Sequence, residues 1–123
     1  PLGNHPILKG VGEIFVTTDL YEAHPPEQAT VLLEGNIVSG LLASDPLRND
    51  PQRPPQSAAW IMPGKRRVIT TTLGSSLDLL DANFRRFLLQ SALWAVKRDI
   101  PQGGQLDVSL VEPYKPSAWG FRP

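Results

Sequence analysis

The sequence predicts an α/β fold, in which an open sheet is followed by a helix that packs on it. Residues 67–72 are rich in β-branched side chains, which is typical of a strand, and the strand runs into Gly74. Apolar residues then recur at intervals of three and four over residues 81–97, the spacing of an amphipathic helix. Together they predict a strand–loop–helix unit, and ligands of open α/β sheets bind beyond the carboxyl ends of the strands.

Composition fits one small globular domain. The chain has 123 residues, of which 41% are hydrophobic and 20% charged. The 12 basic side chains balance the 12 acidic ones, so charge gives no reason to expect nucleic acid or an anionic membrane as a partner. No apolar run approaches the roughly 20 residues of a membrane helix, and no signal segment is visible, so no compartment is predicted.

Cysteine is absent, which excludes disulfides, thiolate catalysis and thiolate metal sites. His24 could form a metal site with His5, Asp19 and Asp45 only if folding brought them together. Their spacing matches no metal motif, so we predict neither a metal nor a cofactor.

The remaining elements follow from local pattern. Residues 4–10 predict a turn or short helix with Pro6 in its first turn and Asn4 or His5 as its cap. Further strands are predicted at residues 14–18, 30–34 and 58–62, and an edge strand at 107–111. Residues 37–42 fit either a strand or an irregular return. Residues 44–57 predict a long surface loop.

The strand at 58–62 and the one at 67–72 predict a hairpin with a basic turn between them. Lys65, Arg66 and Arg67 in that turn could bind phosphate, but a solvated turn explains them more simply. The helix is predicted to begin at an acidic cap in residues 78–81. The buried residues predicted for its sheet-facing side are Phe84, Leu88, Ala92 and either Trp94 or Val96. Residues 113–123 form a Pro- and aromatic-rich tail.

Four blocks of sequence resemble the ThuA-like, or trehalose-utilisation, family. They are residues 5–10 (HPILKG), 18–21 (TDLY), 59–74 (an AW pair followed by GKRRVITTTLG) and 84–95 (FRRFLLQSALWA). Residues 107–116 are similar to a bacterial subgroup of that family. The resemblance implies a flavodoxin-like fold related to class I glutamine amidotransferases. It also implies a role in using disaccharides such as trehalose, or their keto derivatives. Glutaminase chemistry is excluded because its cysteine nucleophile is missing.

This chain departs from the family pattern in two ways. Family members usually begin with a longer segment that carries the first strands of the sheet. The resemblance therefore implies the carboxyl half of an α/β domain, residues 1–112, with its amino-terminal part missing. A homo-oligomer or a partner chain that completes the sheet is expected as a consequence. Many members also have a histidine after the Leu-Gly pair, where this chain has Ser75.

Candidate site residues come from the predicted strand ends. Asp19 follows a predicted strand and could act as an acid, a base or a ligand of a sugar hydroxyl, with Tyr21 facing the same pocket. The alternative is a cap on the next turn. His5 could serve as a general base because its ordinary pKa lies near neutrality, or it could be a structural side chain beside Pro6.

Ser75 and Ser76 lie at the turn before the helix, where hydroxyl and N–H groups can bind a sugar hydroxyl or an anion. The alternative is a helix cap. A serine nucleophile is disfavoured because no Gly-x-Ser-x-Gly elbow surrounds these residues. Trp60, Trp94, Tyr114 and Trp119 could each stack on a sugar ring. Trp60 and Trp94 are better explained as core residues, and Trp119 is the better surface candidate. The predicted ligand is a small sugar, placed by His5 and Ser75 while Asp19 acts on it.

Overall fold

Three strands and one α-helix make up the regular structure that a computed structural model describes for residues 4–102 and 105–117. The strands are β1 (Thr30–Gly35), β2 (Gln56–Met62) and β3 (Val68–Thr71), and the helix is α1 (Ala82–Ala95). Short 3-10 helices cover Pro6–Leu8 and Asp78–Leu80. The chain forms two separately packed units. The sheet unit comprises residues 19–73, and the helical unit comprises residues 1–18 and 74–123.

The sheet unit contains one antiparallel sheet in the order β1-β2-β3. The predicted strands at 30–34, 58–62 and 67–72 are confirmed, as is the hairpin that joins the last two. Its core consists of Leu32, Ala58 and Ala59, all buried. The pairing of β2 with β3 is regular, whereas β1 shifts register between Val31 and Leu33 and again between Leu33 and Glu34. The described part of the protein is therefore a mixed α and β structure with an antiparallel sheet.

The prediction of a strand at residues 14–18 is wrong. Polar side chains at the start of α1, rather than a neighbouring strand, bond to the backbone in this region. The Asn83 amide accepts a hydrogen bond from Gly12 N at 3.0 Å and donates one to Glu13 O at 2.8 Å. Asp81 Oδ2 accepts from Phe15 N at 3.3 Å. Side chains at the start of α1 thus bond to the backbone at positions 12, 13 and 15, where a neighbouring strand would otherwise pair.

The edge strand predicted at residues 107–111 is also wrong, for a related reason. Arg85 Nε donates to Val108 O at 2.7 Å, and Arg86 donates to Leu106 O at 3.2 Å. Asp107 accepts hydrogen bonds from the hydroxyl and the backbone N–H of Ser109, which closes a local turn. Those two bonds, the hydroxyl one first, lower the pKa of Asp107. Arginine side chains and a local turn thus use the polar groups that a strand would need.

Residues 37–42 form an irregular return, which was one of the two alternatives predicted for them, and they pair locally with the start of the predicted loop. A single bridge joins Val38 to Leu47. Backbone hydrogen bonds from Ser39 N to Pro46 O (2.8 Å) and from Arg48 N to Ile37 O (2.7 Å) support it. Residues 51–55 are exposed loop, and β2 begins at Gln56, slightly earlier than predicted.

Helix α1 is confirmed, with a shifted buried face. Phe84 and Phe87 are fully buried and stack with ring centroids 6.4 Å apart. The Gln90 amide is buried as well and donates to Ile7 O at 2.6 Å, which joins α1 to the first 3-10 helix. Burial of Phe84 is confirmed, Leu88 is half-buried, and the prediction for Ala92 is wrong because it is exposed. Of the two alternatives at the end of the helix, Trp94 is half-buried and Val96 is exposed. The buried positions 84, 87, 90 and 91 share one face of the helix, and Ala92 and Val96 lie off that face.

The carboxyl end of α1 closes with a Schellman motif. Arg98 N donates to Leu93 O at 2.8 Å and Lys97 N donates to Trp94 O at 3.1 Å, with Lys97 at a φ of 59°. A lysine in this left-handed conformation is strained where glycine would not be.

Lys97→Gly is therefore expected to raise the free energy of unfolding by roughly 0.5–1 kcal/mol, because the strain is relieved and the cap is kept. Chemical denaturation should show a higher midpoint with an unchanged slope. Arg98→Gly, next along the chain, is the control and should give no gain. A loss of stability in Lys97→Gly would contradict the strain argument.

Candidate functional site

The turn that carries Ser75 and Ser76 is held by a buried carboxylate. Asp78 is 1% exposed, and its Oδ2 accepts hydrogen bonds from Gly74 N at 2.8 Å and from Ser75 N at 2.9 Å. Its Oδ1 accepts from the Thr18 hydroxyl at 2.7 Å. Bonds to an ionised acceptor are stronger than neutral ones, so the turn is rigidly placed at the end of the segment that follows β3.

Asp78 holds the serine turn, a role that the acidic-cap interpretation of residues 78–81 did not distinguish. Asp78 and Asp81, at the two ends of this segment, have different partners. Asp81 Oδ1 caps α1 by accepting a hydrogen bond from Phe84 N at 2.8 Å. The sequence did hold a signal for Asp78. Ser75-x-x-Asp78 has the spacing of a capping box, in which the acidic side chain bonds back to the serine N–H. Ser75 Oγ completes it weakly by accepting from Leu77 N at 3.4 Å.

Residues 114–117 pass the serine turn within the same unit. Ser76 Oγ donates to Ser117 O at 3.0 Å, and the Tyr114 hydroxyl donates to Ser76 O at 3.1 Å. The half-buried Tyr114 is therefore joined through its hydroxyl to the backbone of the turn. Hydroxyl groups next to an aromatic ring are a combination that suits a sugar, because one face of a sugar ring is apolar and its edge is polar.

His5 has a structural position in the helical unit. Its Nδ1 accepts a hydrogen bond from Ile7 N at 3.3 Å, which caps the 3-10 helix Pro6–Leu8, as one of the two predicted caps. The ring also meets Trp94 edge-on, with centroids 5.5 Å apart. Trp94 lies in the last turn of α1, whereas Ser75 precedes its first turn, and a 14-residue helix is about 21 Å long. The structure does not bring His5 to the serine turn.

Asp19 and Tyr21 belong to the sheet unit. Leu20 between them packs over Gly35, where an added Cβ would lie 2.5 Å from Leu20 Cδ1. Asp19 and Tyr21 are both exposed, Tyr21 by 62%, and neither side chain has a hydrogen-bond partner among residues 4–102 and 105–117. The capping alternative for Asp19 thus has no bond to support it. That Asp19 and Ser75 line one cleft stays a prediction.

Other polar candidates have local partners. His24 Nε2 lies 3.1 Å from Glu22 Oε1 in an exposed pair, and Asp45 Oδ2 accepts from Leu42 N at 2.8 Å. Within the described ranges, no three His, Asp or Glu side chains are placed to hold a metal ion. Trp119 lies outside the described residues.

Comparison of the chain with protein families, curated proteins and solved structures gives no match. The ThuA-like assignment therefore depends on the sequence blocks alone. Among the described residues, no helix has the length and apolar character needed to span a bilayer.

Proposed function

We propose that this protein is a carbohydrate-utilisation protein of the ThuA-like family with a flavodoxin-like fold. It would act on, or bind, a disaccharide or keto-sugar. The observation that carries the proposal is the serine turn. The turn carries two serine hydroxyls, Asp78 holds its backbone at Gly74 N and Ser75 N, and the Tyr114 hydroxyl bonds to Ser76 O.

The proposal assigns distinct roles to the predicted residues. Ser75 and Ser76 bind sugar hydroxyls, and Asp19 acts as the acid–base or hydrogen-bonding group, with Tyr21 beside it. The exposure of the Asp19 carboxylate supports this, because a group without a structural partner is available to a ligand. His5 would contribute only from its capping position, since its Nδ1 accepts from Ile7 N.

Asp19→Asn is the experiment that separates function from stability. We expect trehalose binding, measured by calorimetry, to weaken about 10-fold or more, because a hydrogen bond to a charged group is lost. The melting temperature should stay unchanged, because the carboxylate supports no fold contact. Glu27→Gln, an exposed carboxylate of the same unit, is the matched control and should change neither quantity. Early melting of Asp19→Asn with binding intact would contradict the assignment.

A second candidate function is a non-catalytic interaction or sugar-binding module. Two observations favour it. His5 serves as a cap, and Ser75 occupies the position after Gly74 where a histidine is common in the family. Sugar binding without any change in the sugar over hours, followed by chromatography, would favour this module over an enzyme.

A further inference from the structure

Among the described residues, no strand pairs with the outer edge of β3. Thr72 N donates a hydrogen bond to Ala58 O at 3.0 Å. From this bond and the register, the hydrogen-bonded pairs of β2 and β3 are Trp60↔Thr70 and Met62↔Val68. In an antiparallel ladder, the residues between hydrogen-bonded pairs direct their N–H and C=O groups to the opposite edge. Ile69 and Thr71 therefore present these groups away from β2, and no other strand of the described chain pairs with them.

The two edges of this sheet differ in how they resist pairing. β1 has two interruptions of its register, and such irregularities blunt an edge against further strands. β3 keeps an unbroken register with β2 and contains Val68, Ile69, Thr70 and Thr71, with no proline and no charge. Its Val68 side chain is 45% exposed. The β3 edge is thus regular and uncharged, and no described strand pairs with its outer side.

Basic side chains stand at one end of this edge. Lys65 and Arg66, in the turn before β3, are both exposed and form no ion pair with any described residue. We propose that the outer edge of β3 binds an extended peptide antiparallel, with carboxylates at the peptide's carboxyl-terminal end beside Lys65 and Arg66. Backbone hydrogen bonds supply affinity in this mode of recognition, and side chains supply selectivity.

Charge favours such a peptide over a second copy of this chain. An antiparallel copy would place its Leu73 and Gly74 beside the basic turn, and neither carries a charge. A parallel copy would place its own Lys65 and Arg66 there, which is repulsive. The inference goes beyond the carbohydrate proposal and does not depend on it.

The test uses the whole chain, labelled with ¹⁵N, and two peptides of one composition. The first is acetyl-Thr-Val-Thr-Val-Thr-Glu-Glu-amide, and the second has the same residues in reverse order. We expect the first to bind with a Kd below about 1 mM, shifting the amides of Ile69 and Thr71, and the second to bind about 10-fold more weakly at low salt. N-methylation of alternate residues of the first peptide should abolish binding.

The double variant Lys65→Glu, Arg66→Glu is the charge control. Because both side chains are exposed, it should melt like the parent, bind the first peptide about 10-fold more weakly and lose the preference for it. No saturable shift at Ile69 and Thr71, or equal binding of both peptides, would overturn the proposal. So would sedimentation of the peptide-free chain as a dimer with those same two amides protected, since the occupant would then be a second copy.

Discussion

Phe84→Ala is expected to lower the free energy of unfolding by about 3–5 kcal/mol. The side chain is fully buried, and it stacks on the equally buried Phe87. Removing it loses the transfer free energy of a phenyl ring and leaves a cavity, because neighbours held by α1 relax only partly. Urea denaturation followed by circular dichroism at 222 nm measures the change.

Leu89→Ala is the matched control on the same helix, since Leu89 is 44% exposed. It should cost less than about 1 kcal/mol, because nearly half of its surface is already in contact with water and less apolar area is lost to solvent than at Phe84. Equal losses in Phe84→Ala and Leu89→Ala would mean that the buried face of α1 is wrongly assigned.

Asp78→Ala is expected to cost about 3 kcal/mol or more. Three donors lose their acceptor: the N–H groups of Gly74 and Ser75 and the hydroxyl of Thr18. The donors lie around a nearly fully buried carboxylate, so water replaces it poorly. Native-state hydrogen exchange should show faster exchange at Gly74 and Ser75 than the global loss of stability explains.

Asp78→Asn keeps the shape of the side chain and retains one acceptor oxygen, so it should lose less stability than the alanine variant. Asp107→Ala removes an exposed carboxylate of the same unit, one that bonds only to Ser109, and should change stability little. If Asp78→Ala proved as mild as Asp107→Ala, the turn would not depend on this carboxylate.

The local sequence pattern was sufficient to predict an element whose hydrogen bonds are made within the element itself. The β2–β3 hairpin and α1 are such elements, and both were predicted close to their observed bounds. Residues 14–18 and 107–111 look like strands in composition, yet the Asp81 carboxylate bonds to Phe15 N and the Arg85 guanidinium bonds to Val108 O, and neither segment pairs as a strand. Tertiary structure decides which long side chain bonds to a distant carbonyl group. The periodicity of the local sequence does not predict such a contact.

In the candidate site, too, local features could be predicted from the sequence, whereas contacts between distant residues could not. The position of His5 before Pro6 suggested either a general base or a structural side chain. In the structure His5 caps the 3-10 helix. Ser75 and Asp78 formed a recognisable capping box, but its partner Thr18 lies 60 residues away and could not be read from spacing. The contact of Tyr114 with Ser76 spans 38 residues and was equally hidden.

The central claim is that the chain binds a neutral sugar through the serine turn and Asp19. The most direct measurement is a titration of the ¹⁵N-labelled chain with trehalose, followed by amide chemical shifts. We predict saturable shifts, with a Kd below roughly 10 mM, at residues 74–76 and 19–21. Asp19→Asn should lose them while Glu27→Gln keeps them. No saturable shift up to that concentration, or shifts confined to other parts of the chain, would contradict the account.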